Sequence, residues 1–282
     1  MNAHRILGLG DNTVDTYVSS NVQYPGGNAV NVAALSRRLG ADSAYLGCVG
    51  DDAGGDLLQR ALRAEGVDVS HLRVRHGGNA RAFVSHEDGD RRFLGSDPGV
   101  RAQYCLTDAD YDYIAGFDLV HTSVYSDLAR ELPRLVDSAR RLSFDFSNRW
   151  DETLLRATLA HVDLAFLSAA DLDDDACLRL LRQCISMGAG QAVATRGSRG
   201  AMGTDGVHFH SEPVRPCEVV DTLGAGDGFI SAFLMAHLDG KPLPAGLRAG
   251  AEFAAGVCGW HGGFGHGEPW NGEAAQFPGP AR

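Results

Sequence analysis

Short strand-length apolar runs alternate with helix-length segments along most of this chain, and that rhythm restricts the fold more than any other feature. Arg5–Gly10 reads as a strand, and Asn28–Leu39 as a helix with Val30, Ala33, Ala34 and Leu35 on one side and Gly40 as its stop. Ser43–Val49 is a second strand, and Gly54–Ala64 a helix ended by Gly66. Further strands are expected at Asp118–His121, Leu142–Asp145, Val162–Leu167 and Gln191–Thr195. Helices near Leu128–Arg140, Glu152–Ala160 and Ala176–Met187 separate them. A hairpin over Ala201–His210 and two helices, Ala225–Leu238 and Ala245–Trp260, finish the core. Strands joined by helices of this length predict a single α/β domain, with a mainly parallel central sheet and helices on both faces. In such sheets ligands lie at the carboxyl ends of the strands, so polar residues following a strand are the ones to question.

One stretch breaks the rhythm. Ala80–Val84 and Arg91–Leu94 are short alternating runs split by Glu87–Asp90, the pattern of a β-hairpin. With the short insert Thr16–Pro25, the segment 80–94 is expected to form a small β lid across the strand ends. Exposed strand edges seek partners, so a homodimer through this lid is an expectation too. The Gly- and Pro-rich tail from about residue 264 is expected to be loosely held.

Composition removes several function classes. The formal charge is −11 over 282 residues, which argues against nucleic acid or an anionic membrane as partner, since both call for basic faces. The first apolar run, Ile6–Leu9, is too short for a secretion signal or a membrane span, so a cytoplasmic location is expected. Cys48, Cys105, Cys177, Cys184, Cys217 and Cys258 are scattered without a C-x-x-C pair, as reduced thiols would be. His208 and His210 share a strand face, but a metal site would need further ligands; an exposed hairpin face accounts for them.

The chemistry concentrates in Val219–Phe229, VVDTLGAGDGF. Gly224, Ala225 and Gly226 are small enough for backbone N–H groups to crowd around an anion, and the apolar helix that follows adds the partial positive charge of its N-terminus. Asp227 lies in the first turn beside that anion. A carboxylate next to a phosphate needs a reason, and a hydroxyl between them supplies one: it gives its proton to Asp227 and attacks phosphorus. A weak base suffices, because the transition state of phosphoryl transfer is loose. The competing reading is a plain turn with an acidic helix stabiliser.

Asp221-Thr222-x-Gly224-Ala225-Gly226-Asp227-x-Phe229 resembles the signature of the ribokinase/PfkB carbohydrate kinases. A second family signature stands as Gly26-Gly27-Asn28-Ala29-Val30-Asn31-Val32-Ala33. Gly10–Asp15, Val49–Asp52, Gly66–His71 and Asp145–Asp151 narrow the likeness to bacterial fructoselysine 6-kinases. The resemblance implies a ribokinase-like fold and transfer of the ATP γ-phosphate to a sugar primary hydroxyl, with Mg²⁺ and in many relatives K⁺. The substrate it implies is fructoselysine or a related fructosamine, phosphorylated at the 6-hydroxyl. Fructose, ribose or adenosine as acceptor, or a sugar-binding protein without catalysis, stay open.

By the same resemblance Asp15, Gly26, Gly27 and Asn31 hold the sugar. Asp11 joins them, although an Asx-type turn would equally explain Asp11. Thr195, Gly197, Gly200 and Thr222 are implied on the nucleotide side, where Arg196 or Arg199 would add charge, and the helix from Ala251 with the Gly262-Gly263 turn would wall the adenine. Many relatives carry Asn-x-x-Glu after the strand that here ends near Leu167. This chain has Ser168-Ala169-Ala170-Asp171 instead, so Asp171 acts on the metal through water or merely begins an acidic helix cap. Asp221 is the expected monovalent-cation site. The lysine arm would leave toward the lid, with Arg81, Glu87, Arg92 and Tyr125 as candidates to meet it.

Overall fold

The computed structural model describes residues 3–87 and 90–271, with side chains described for all of these except 86–92 and 103. In chain order the elements are β1 (Arg5–Gly10), β2 (Thr13–Tyr17), β3 (Val22–Gly26), α1 (Asn28–Arg38), β4 (Asp42–Gly50) and α2 (Ala53–Ala64). β5 (Arg73–Arg75), β6 (Arg81–Glu87), β7 (Asp90–Asp97), α3 (Asp108–Ile114), β8 (Leu119–Ser123) and α4 (Leu132–Ser138) follow. Then come β9 (Leu142–Asp145), α5 (Glu152–Thr158), β10 (Leu164–Ser168), α6 (Asp174–Ser186) and β11 (Gln191–Thr195). The chain continues through β12 (Ala201–Thr204), β13 (Phe209–Glu212), α7 (Ala225–Leu238), α8 (Leu243–Val257) and β14 (Glu268–Pro269).

Among the described residues the main sheet has nine strands in the order β13-β12-β11-β10-β9-β8-β1-β4-β5. Pairing is parallel from β5 to β11, and β12 and β13 add an antiparallel edge. The chain leaves β1 toward β4 on one side and returns to β8 on the other, so the strand order reverses between β1 and β8. That crevice is where open α/β sheets bind ligands.

The period-two alternation of the strands sorts their side chains to two faces. Leu7, Leu9, Val120, Phe144 and Leu167 pack with Ile114, Leu135, Leu155 and Leu181 from α3 to α6. On the opposite face Ile6, Leu119, Phe166 and Val193 pack under Phe229, Phe233 and Leu247 of α7 and α8. α1 lies on that second face and comes unusually close to β1, because Gly8 has no side chain; a Cβ there would stand 2.2 Å from the Ala29 carbonyl oxygen.

The expected small lid is a five-stranded sheet, β14-β3-β2-β6-β7. Its β6–β7 turn at 88–89, the side chains of Glu87 and Arg92, and the tail 272–282 lie outside the described residues. Residues 264–271 correct the expectation of a loose tail. Phe264 is fully buried against the α1–α2 cluster, and Glu268–Pro269 pairs antiparallel with β3. Apolar anchoring of Phe264 outweighs the glycines around it. α3 and β5 were not anticipated either. No helix of the described residues is long and apolar enough to cross a membrane.

Candidate active site

Two cavities open side by side on the carboxyl ends of the strands. The first, about 380 Å³, lies between the main sheet and the small sheet, and Asp11, Asp15, Gly27, Asn28, Asn31, Tyr125, Asp145, Arg149 and Asp227 are among its walls. The second, about 650 Å³, is lined by Thr195, Gly197, Gly200, Thr222, Ala225, Gly226 and by Ala251, Ala254 and Cys258 of the last long helix and its end. The first turn of α7 separates them: Ala225 and Gly226 face the second cavity, and Asp227 the first. Gly224 precedes that turn with φ +75° and lies so close to Gly263 that a Cβ would fall 2.5 Å from its Cα. The left-handed conformation and this contact both require glycine there. N–H groups of a helix's first turn lack intrahelical acceptors, so this turn offers donors where the cavities meet.

Asp227 is held from two sides. Asn28 Nδ2 donates to its Oδ1 at 2.7 Å, and Asn31 Nδ2 to its Oδ2 at 2.6 Å. Both amides project from the first turn of α1, which begins at Gly27 (φ +104°). Asn28 Nδ2 also donates to Asp145 Oδ2 at 3.0 Å, so one amide bridges two carboxylates. Burial, with Asp227 and Asp11 nearby, pushes the Asp145 carboxyl up to about 7, against a backbone N–H from Ser147 that favours its charged form.

Most sequence-expected sugar residues come together here, with two changes of role. Asp15, Gly27 and Asn31 line the first cavity. Gly26 does not line it; a Cβ at Gly26 would fall 2.0 Å from Asp15 Oδ2, so its absent side chain makes room for the Asp15 carboxylate. Asp11 also lines the cavity, but its oxygens already accept from the N–H groups of Asn28 (2.7 Å) and Ala29 (3.3 Å) and the hydroxyls of Ser123 (2.8 Å) and Ser126 (2.9 Å). It fastens the N-terminus of α1 to the ends of β1 and β8.

Thr195, Gly197, Gly200 and Thr222, the residues expected on the nucleotide side, all line the second cavity. The arginines do not. Arg196 is buried on Asp174 and the Met202 sulfur, and Arg199 donates to the Ala170 and Leu172 carbonyls. The arginine that lines the cavity is Arg215, beside Glu212. Gly262 and Gly263 pack on Tyr24 and on Asn31, which lines the first cavity, and neither lines the second.

Asp171 is exposed in the turn after β10 and lines neither cavity. Asp173 caps α6 through the Ala176 N–H at 2.7 Å, and Asp174 pairs with Arg196, which accounts for two acids of that run. Asp221 is buried and accepts from Tyr17 Oη (2.6 Å), Gly262 N (3.0 Å) and Leu223 N (2.9 Å). Among the described residues no group of three or more His, Cys, Asp or Glu could hold a metal ion. A Mg²⁺ carried on nucleotide phosphates and its own waters needs no such group.

Of the proposed contacts for a substrate arm, Tyr125 lines the first cavity. Arg81 is engaged inside the small sheet, donating to Thr16 Oγ1 (2.9 Å) and Gln23 Oε1 (2.7 Å). Arg101 and Arg149, which the sequence did not single out, line the cavity in its place.

Two cavities, one acidic and one largely apolar with a glycine floor, meet at a helix N-terminus on this sheet, an arrangement suited to passing a phosphoryl group between two small molecules. The chain belongs to the pfkB family of carbohydrate kinases, whose model matches residues 4–267. It is 40% identical over 270 residues to the fructosamine kinase FrlD of Bacillus subtilis (strain 168), covering 94% of this chain and 95% of that one. It is 37% identical over 254 residues to the fructoselysine 6-kinase of Escherichia coli (strain K12), covering 90% and 97%. In three dimensions it resembles Arabidopsis thaliana ribokinase complexed with ribose and ATP, with TM-score 0.80, 20% identity, and 93% and 94% of the chains covered.

Proposed function

We propose that this carbohydrate kinase transfers the γ-phosphate of ATP to the 6-hydroxyl of fructoselysine or a closely related fructosamine, with Asp227 as the base. The observation that carries the reading is the position of Asp227. Its carboxylate faces the acidic cavity one residue after Gly226, which faces the other. A hydroxyl bound in the first cavity would stand between that carboxylate and a phosphoryl group at the α7 turn. Asn28 and Asn31 fix the carboxylate, and the amides of the turn oppose the charge spreading over the transferred group. ATP fits the second cavity, whose small residues let phosphates approach backbone. Mg²⁺ would reach the site on the nucleotide and neutralise β and γ oxygens.

The charge of the first cavity supports a fructosamine over a neutral sugar. Four aspartates, Asp11, Asp15, Asp145 and Asp227, line it with Arg101 and Arg149. A substrate carrying both an ammonium and a carboxylate complements walls of both signs. The small sheet would cover the acceptor and keep water from the phosphoryl group. β7 is an edge strand of that sheet, and Phe93 stands exposed on it, which supports a homodimer through this edge; sedimentation equilibrium tests it. A K⁺ requirement at Asp221, and a cytoplasmic location, belong to the same proposal. Replacing K⁺ by Na⁺ in the assay tests the former.

The deciding experiment is an ADP-release assay over fructoselysine, fructose, ribose and adenosine. Turnover with free sugars and none with any amino-conjugated sugar would remove the substrate assignment. Asp227→Asn should lower kcat by about 10²- to 10⁴-fold while sugar binding largely survives. Undiminished turnover in that variant would end the assignment of the base.

A further inference from the structure

Asn28 must present its amide hydrogens to the two carboxylates, and a buried relay from β8 and β9 ensures that it does. His121 is fully buried in β8, next to Ser143 in the adjacent strand register. Its Nε2 lies 2.8 Å from Asn28 Oδ1, and its Nδ1 lies 2.9 Å from Ser143 Oγ. Asn28 Nδ2 faces the Asp227 carboxylate, which only accepts, as well as Asp145, so its Oδ1 is the atom that faces the ring. An amide oxygen only accepts, which places the imidazole proton on Nε2 and leaves Nδ1 to accept from the Ser143 hydroxyl. Desolvation pulls the imidazole down to about 3, so the ring is neutral and holds a single tautomer at working pH. α1 can bring Asn28 this close because Gly8, opposite His121 on β1, has no side chain.

We infer that His121 is a positioning residue for phosphoryl transfer: through Asn28 it locks the orientation of the amide that holds Asp227 in line with the acceptor hydroxyl. The inference rests on the reading of Asp227 as base. With the ring's donor lost, the Asn28 amide is free to rotate and turn its oxygen toward two carboxylates. Asp227 would then lose a donor favouring its charged form and sit less firmly. The groups around it are Asp145 from the end of β9, Asp11 from the end of β1, Asp15 from β2, Asn31 from α1, and Arg101 and Arg149 across the cavity. The donor stabilises ionised carboxylate, so its loss moves the acid limb of kcat to higher pH.

Glutamine can place a side-chain N–H where imidazole Nε2 lies, whereas asparagine is too short, so His121→Gln and His121→Asn form a matched pair. The assay measures kcat, KM for fructoselysine and for ATP, and kcat between pH 5 and 9, with Asp227→Asn as reference. His121→Asn should lower kcat about tenfold, the effect of roughly one misoriented charged hydrogen bond, with both KM values within about threefold and the acid limb moved upward. His121→Gln should stay within about threefold of the parent with an unmoved limb. A parental kcat and limb in His121→Asn, with Asp227→Asn inactive, overturns this inference and leaves the base intact. Turnover in Asp227→Asn instead overturns the base reading. Should His121→Asn not fold, Asn28→Ala removes the bridge directly and keeps the α1 backbone. A lowered kcat with an upward-shifted limb in that variant supports the relay, and a parental limb overturns it.

Discussion

Asp145 shows how one residue's surroundings set its chemistry. A carboxyl at about 7 beside Asp227 binds its proton more tightly in the folded protein than in the unfolded chain, where the ordinary value is about 3.9. The native state therefore holds the extra proton between those two values. The stabilisation linked to it is complete below the unfolded value and is lost as pH rises through 7. Asp145→Asn cannot titrate, so its melting temperature relative to the parent should rise as pH goes from 5 to 8. A difference that stays constant over that range would show that Asp145 titrates normally. Asp11 contrasts with it: more deeply buried, it accepts from two N–H and two O–H groups, and its work is to hold α1.

Among the elements, α1 carries most of the site, and its distance from β1 is set at Gly8. Gly8→Ala would drive a methyl group into the Ala29 carbonyl, and overpacking of this kind costs about 1–3 kcal/mol. Urea unfolding should show that loss, and kcat/KM should fall with it because Asn28 and Asn31 move with the helix. The helices and strands of the main sheet were legible because their apolar periodicity is local, and β9 and β11 match their expected bounds. α3 was not, since Asp110 stands on its buried side among Tyr111 and Ile114 and breaks the apolar pattern. β5 and β14 owe their existence to pairing partners far away in sequence. The site divides in the same way. Glycine turns and Asp227 announce themselves in contiguous motifs. His121 and Asn28 meet only through sheet register and a missing side chain at residue 8, and no spacing in the sequence encodes that contact.

For the whole molecule, the question is how the small sheet is tied to the large one. Tyr17 on β2 donates to Asp221 Oδ2, and Asp221 in turn holds Leu223 N–H and Gly262 N–H. One carboxylate thereby joins the small sheet, the segment leading into α7 and the turn after α8. Tyr17→Phe should weaken the hold of the small sheet on the rest of the molecule by about 1–3 kcal/mol, the cost of leaving a buried charged acceptor short of a donor. Its signature would be regional. Hydrogen exchange in β2, β3 and β6 should quicken while β1, β8 and β9 stay protected. Uniform quickening across both sheets would contradict that role.

Ala225 and Gly226 put only a backbone's thickness between the acidic and the apolar compartments. Such a thin partition has a pharmacological corollary. Under the proposed function, a single compound, an adenosine joined through a short phosphate chain to an amino-sugar, would lie astride the wall and occupy both rooms at once, and linkage would make its grip far tighter than that of either half alone.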